Sequence, residues 1–196
     1  MASVRPEQKG TDHVSAESFQ THWVFAYGSL IWNPDIDFCR VVRARLHGYH
    51  RAFCIRSIRY RGTPERPGVV LGLDRGGACT GLAYELAPHT RQAALERLFQ
   101  REVPDWAERV YRPSLVPIHL DDGRKVSALA FLAERESRWY QRLREPDLLQ
   151  TLRQSCGQRG PNRDYAINTW NALKEHGVHD ARLEQIVRCL SDSGGT

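Results

Sequence analysis

Apolar positions follow two different periods along the chain, and the change near residue 90 separates a strand-rich first half from a helix-rich remainder. Trp23, Val24, Phe25 and Ala26 form a continuous apolar run that ends at Tyr27-Gly28-Ser29-Leu30, the pattern of a buried strand delivering its backbone to a turn. Val42-Arg43-Ala44-Arg45-Leu46-His47 alternates with period two, as in a strand with one buried face, and a second strand is expected through Phe53 and Ile55. Arg56 to Gly68 then reads as a long loop, stiffened by Pro64 and Pro67 and interrupted by Gly62 and Gly68. Val69 to Leu73 and Thr80 to Leu86 read as strands flanking a turn at Gly76-Gly77.

From Thr90, a natural N-cap, the spacing of Ala94, Leu95, Leu98 and Phe99 predicts a helix that ends near Pro104. Leu115 to Leu120 and Val126 to Leu132, joined by Asp121-Asp122-Gly123, predict a β-hairpin returning to the sheet. Three more helices follow, over Pro146 to Cys156, Pro161 to His176 and Asp180 to Leu190, with Gly177 breaking the last two apart. The expectation is one α+β domain over residues 22–191, strands first and helices outside, with tails at 1–21 and 192–196.

Size and composition agree with this picture. The 196 residues, 41% hydrophobic and 26% charged, suit a single globular core. No apolar stretch approaches the roughly 20 residues of a membrane helix, and residues 1–21 lack the apolar segment of a secretory signal. No membrane partner is therefore expected, and the expected location is cytoplasmic. Cys39, Cys54, Cys79, Cys156 and Cys189 are odd in number and form no Cys-x-x-Cys pair, so they read as reduced thiols. The formal charge of +5 comes mostly from arginine, whose planar fork suits carboxylates and phosphates. The arginines are scattered from Arg40 to Arg188, the distribution of a solvated surface, so nucleic acid is not an expected partner.

Two features carry candidate chemistry. Gly28 admits positive φ and close approach of a ligand to the main chain, while Tyr27, Ser29 and the following amides offer hydrogen bonds; the same residues also fit a purely structural turn. Extending the helical stripe Leu95, Leu98, Phe99 lands on Glu102, where packing would favour an apolar side chain. A buried carboxyl with a raised pKa is a candidate general acid or base; an ion pair with Arg101 or Arg109, or fraying before Pro104, accounts equally for the position. His47 with His50, and His176 with His179, bracket glycines and present no firm metal-binding face, so no metal is expected. Ser29 lies outside a Gly-x-Ser-x-Gly elbow, and no Walker or Gly-x-Gly-x-x-Gly loop occurs.

Three ordered blocks, Phe25-Ala26-Tyr27-Gly28-Ser29-Leu30-Ile31-Trp32-Asn33-Pro34, Arg61 to Leu73, and Gly76 to Tyr84, together resemble the ChaC-like gamma-glutamylcyclotransferases over most of the chain. Arg101-Glu102 falls where that family keeps its catalytic glutamate, and Gly160-Pro161-Asn162-Arg163-Asp164-Tyr165 resembles its late Gly-x-Asn-x-x-Tyr element. The resemblance implies a small mixed, barrel-like sheet with surrounding helices. It also implies cleavage of glutathione to 5-oxoproline and cysteinylglycine, without a cofactor, by attack of the glutamyl α-amine on its own side-chain carbonyl.

In that reading Glu102 is the catalytic acid–base. Tyr27, Gly28, Ser29 and Leu30 grip the glutamyl α-carboxylate and amine, and Tyr111 and Tyr165 are secondary candidates for substrate hydrogen bonds. One stretch departs from the family pattern: Val103 to Val110 stands between Glu102 and the pair Tyr111-Arg112. That change makes credible a cyclotransferase for another gamma-glutamyl amine or dipeptide, and the arginines leave a second alternative of a different class, a non-catalytic binding or regulatory protein. Oligomeric state is not readable from the sequence.

Overall fold

The computed structural model describes residues 15–192. Five strands close into a barrel in the order β1-β3-β2-β4-β5: β1 Trp23–Ala26, β2 Phe38–Ser57, β3 Gly68–Leu86, β4 Tyr111–Leu120 and β5 Lys125–Ala133. β1 runs antiparallel to β3 and parallel to β5, which shuts the ring. Its four residues are therefore buried on both faces, and this is why they read as an unbroken apolar run rather than an alternation.

The second and third strands are longer than their sequence suggests. The two strands expected between Val42 and Ile55 are one, and so are the two expected on either side of Gly76-Gly77. His47 pairs with Ala78 and Tyr49 with Arg75, so Gly48 faces Gly76 and Gly77 across a bulge. All three glycines have positive φ, at 84°, 102° and 70°. They bend the ribbon without ending it, and each long strand thereby serves two sides of the barrel, β2 pairing also with β4 and β3 with β5.

Helices α1 Arg91–Glu102, α2 Glu145–Gln154, α3 Asn162–Glu175 and α4 Ala181–Ser191 cover the barrel, and a short β6–β7 hairpin, Cys156–Gly157 with Gly160–Pro161, leads into α3. α1 buries Ala94, Leu95, Leu98 and Phe99, as its spacing predicts, and Phe99 meets Phe131 of the barrel at 5.8 Å. Thr90 stands at the N-cap position, but its hydroxyl makes no capping bond. Packing begins before residue 22: Ala16 and Phe19 are buried, Phe19 lies 5.4 Å from Phe99, and the Thr21 hydroxyl donates to the Ser127 carbonyl. Of the tails expected at 1–21 and 192–196, residues 1–14 and 193–196 lie outside the described residues.

α3 is fastened to the barrel through Asn162 and Tyr165. The Asn162 side chain, wholly buried, accepts from the Val69 amide at 2.7 Å and donates to the Val69 carbonyl at 2.8 Å. The Tyr165 hydroxyl accepts from the Leu71 amide at 3.3 Å. Positions three apart on a helix are about 5–6 Å apart, and positions two apart on a strand about 6.7 Å, so an Asn-x-x-Tyr step matches alternate residues of an edge. Asn162→Ala would strand both Val69 backbone groups. A loss of about 2–6 kcal/mol is expected in urea denaturation, at about 1–3 kcal/mol for each of the two orphaned groups.

Candidate active site

The turn after β1 projects into one end of the barrel, where the last turn of α1, the start of β4 and the first turns of α3 converge. Tyr27, Gly28, Ser29, Leu30, Glu102, Tyr111 and Tyr165 line one small inner cavity of about 20 Å³, with Leu71 and Phe131 completing the wall. All seven residues singled out in the sequence therefore meet in one place, drawn from four separate segments of the chain.

Gly28 does not use the positive φ that its sequence context allows; its φ is −133°. Its value is space. A Cβ built there would lie 3.0 Å from the Tyr165 hydroxyl, so Gly28→Ala pushes a methyl group into the cavity wall. The expected result is a raised KM with a stability cost of about 1–3 kcal/mol, read by steady-state kinetics and thermal melting. The amides of Gly28, Ser29 and Leu30 have no protein acceptor among the described hydrogen bonds, which leaves three donors on a turn that lines the cavity, groups suited to an anion or a developing oxyanion.

Arg51, with 3% of its side chain exposed, holds this turn from behind. Its Nε donates to the Tyr27 carbonyl at 2.6 Å, a terminal nitrogen donates to the Thr80 carbonyl at 2.8 Å, and the other pairs with Asp180, which caps α4. A trans peptide points its C=O and N–H in opposite directions. Fixing the Tyr27 carbonyl on Arg51 therefore turns the Gly28 N–H away from Arg51.

Glu102 is 16% exposed at its side chain and pairs with Arg101, whose Nε lies 3.0 Å from its Oε1. The ion pair anticipated as an alternative is thus present, yet the carboxyl pKa is raised, because burial outweighs the attraction of Arg101 and Arg159. The charge of Glu102 is also felt by Tyr27, Tyr111 and Tyr165, whose hydroxyls burial and that carboxylate push upward. The three phenols differ in what their protons do. Tyr27 donates to the Phe131 carbonyl at 2.7 Å and Tyr111 to the Leu71 carbonyl at 3.1 Å. Tyr165 acts only as an acceptor among the described hydrogen bonds, so its proton remains available to a ligand.

Arg101 is the residue that sequence reading undervalued. It bonds the Asn33 carbonyl at 2.6 Å, the Ser29 hydroxyl at 2.8 Å and Glu102, tying the acid to the glycine turn. Adjacent helical positions do not ordinarily face each other, yet at the last turn of α1 the Arg101 guanidinium reaches the Glu102 carboxyl. Arg51 was hidden altogether, and Asn162 was visible as part of a motif but not in its role, since the partners of both lie more than twenty residues away in sequence.

Beyond Glu102 the inner cavity opens into an outer cleft of about 570 Å³ that shares Ser29, Glu102, Tyr111 and Tyr165 with it and carries Arg56, Arg59, Arg61 and Arg159. Arg61 is buried between the rings of Trp32 and Tyr165, at 5.9 and 5.6 Å, and donates to the Pro161 carbonyl. The site is an anion-accepting pocket with a desolvated carboxyl at its throat.

The small closed mixed barrel is shared with solved gamma-glutamyl cyclotransferases. A solved yeast gamma-glutamyl cyclotransferase specific to glutathione superimposes with a TM-score of 0.78 at 20% identity, covering 87% of this chain and 95% of that one. The family model described as ChaC-like protein matches residues 22–193, and the chain belongs to that family. The glutathione-specific gamma-glutamylcyclotransferase of Escherichia coli is 34% identical over 166 residues, 84% of this chain and 71% of its own length. The mouse glutathione-specific gamma-glutamylcyclotransferase 1 is 29% identical over 177 residues, 86% of this chain and 77% of its own.

Proposed function

We propose that this protein is a gamma-glutamylcyclotransferase that cleaves glutathione into 5-oxoproline and cysteinylglycine. The observation that carries the reading is the meeting, in one cavity, of a glycine turn with free amides and a carboxyl whose pKa is raised. The curated relatives of like length and the ChaC-like family match supply the substrate.

The chemistry follows from this geometry. The α-carboxylate of the glutamyl group sits on the turn amides, and the chain folds back so that its α-amine faces its own γ-carbonyl. Positioning of this kind supplies about 7–11 kcal/mol in favourable intramolecular cases. The amine, entering in its neutral form, forms the new N–C bond and gives a proton to Glu102. As the γ-carbonyl oxygen gathers charge, a turn amide and the Tyr165 hydroxyl donate to it. The bond to the cysteinyl nitrogen then breaks, and Glu102 returns the same proton to that nitrogen. Protons and electrons balance without water or cofactor.

The wider setting is part of the same proposal: a small-molecule enzyme of the cytoplasm that does not act on nucleic acid or a membrane. No disulfide joins the cysteines among the described residues, as in a reducing compartment. Surface arginines are engaged with acids of the same chain, including Arg40 with Asp122, Arg43 with Asp121 and Arg188 with Glu184. No helix among the described residues is long and apolar enough to cross a membrane.

Purified protein incubated with glutathione, gamma-glutamyl dipeptides and gamma-glutamyl amines should release 5-oxoproline fastest from glutathione, in equal amount with cysteinylglycine. Release from another gamma-glutamyl compound alone would move the substrate, and no release from any would overturn the reading.

A further inference from the structure

We propose that the outer cleft accepts glutathione whose sulfur carries an apolar substituent, so that thioether conjugates of glutathione are substrates alongside glutathione itself. This inference rests on the cyclotransferase reading of the inner cavity and concerns the half of the substrate that departs.

The inner cavity, about 20 Å³, has room for little more than one water molecule, so the glutamyl group lies at the throat that the two cavities share. Glutathione as a whole then has two carboxylates, an ammonium and one small thiol with which to fill an outer cleft of about 570 Å³. That volume lies well inside the roughly 300–1,000 Å³ of pockets that enclose drug-sized ligands. The cysteine is the residue whose nitrogen leaves, so its side chain starts at the throat beside Glu102 and opens into the cleft.

The walls of the cleft divide by chemistry. Arg159 lies over the Tyr60 ring at 4.2 Å, acts on Glu102 and makes no ion pair among the described residues; it suits the glycine carboxylate. The apolar part of the lining is Ile55, Ile58, Val70, Val110 and Trp139. Trp139 is fixed there: its indole N–H donates to Glu108, its amide donates to the Ser137 hydroxyl at 3.2 Å, and Arg138 stacks on it at 4.8 Å. Two further acids of the lining are both occupied, Glu108 by Arg138 and Trp139, and Asp105 by the Ala107 amide at 2.8 Å.

Glu108 belongs to the stretch Val103 to Val110, between Glu102 and Tyr111. Its short helical turn over Trp106–Glu108 carries the carboxylate to Trp139. The segment therefore holds Trp139 in the cleft lining through Glu108 and adds Val110 to its apolar part. An alkyl or benzyl group on sulfur would cover that part, whereas a charged substituent, such as a second glutathione in the disulfide, would not.

The test compares glutathione with its S-methyl, S-hexyl and S-benzyl derivatives and with glutathione disulfide, measuring 5-oxoproline release. KM should fall along the apolar series, by about tenfold at S-benzyl, with the disulfide not improved. Trp139→Ala should erase the S-benzyl advantage, and Glu108→Gln should reduce it. Calorimetric binding of the same compounds to Glu102→Gln reads the cleft without turnover, so the inference is judged even if no compound is cleaved. Tighter binding of S-benzylglutathione than of glutathione supports it. Turnover of glutathione alone, or equal or weaker affinity for the S-benzyl form, overturns it.

Discussion

Glu102→Gln is expected to slow 5-oxoproline release from glutathione by about 10²–10⁴-fold, the range that a positioned acid–base supplies, while glutathione still binds. Activity within tenfold of wild type would remove Glu102 from the mechanism. The same substitution has a signature in stability. Burial raises the Glu102 carboxyl above its usual 4.5, so the folded protein holds this proton more tightly than the unfolded chain does. Wild-type stability contributed by the protonated group is present below the unfolded pKa and is lost as pH rises through the folded one. Glutamine has no such dependence. The stability of Glu102→Gln relative to wild type should therefore increase with pH above about 4.5, measured by urea denaturation across pH 4–8. In wild type the acid limb of kcat/KM should lie above the ordinary carboxylate range, because Glu102 must be ionised to accept the amine proton.

Arg51→Ala is expected to lower kcat by about a hundredfold, the lower end for loss of one oxyanion donor, with a smaller change in KM. Arg51 does not reach the inner cavity; it fixes the Tyr27–Gly28 peptide through the Tyr27 carbonyl and thereby aims the Gly28 amide. The buried pair with Asp180 adds a stability loss of about 3 kcal/mol. A purely structural role would be indifferent to added cation. Arg51 lines a separate cavity of about 290 Å³ between the barrel and helices α2 and α4, so free guanidinium has a route to the vacated place. Partial recovery of kcat with tens of millimolar guanidinium, absent with sodium chloride or urea, supports the positioning role. A folded variant with raised KM, unchanged kcat and no recovery would reject it.

Much of this site was legible before any coordinates. The apolar run into Tyr27-Gly28-Ser29-Leu30 and the carboxyl on the stripe of α1 are local departures from what packing favours, and such departures mark function because folding alone gives no reason for them. The hairpin β4–β5 and the last three helices were equally plain, since turn residues and helical spacing are properties of neighbours in sequence. Gly76-Gly77 misled for a related reason. A glycine pair signals a change of backbone direction, but a bulge and a reversal share that local signal, and only the opposing Gly48 makes it a bulge.

What the sequence by itself determined was the set of elements, the glycine turn and the identity of the one acid out of place, because these depend on residues within a few positions of one another. Tertiary structure decided the rest: that β1 closes the barrel from within, that Arg101 ties the acid to the turn, and that Arg51 and Asn162 fasten backbone groups many residues away. It also set the pKa of Glu102, since desolvation and the reach of Arg101 and Arg159 act through space. Hydrogen bonds and dielectric environment are fixed by distance in three dimensions, and distance along the chain carries little of it.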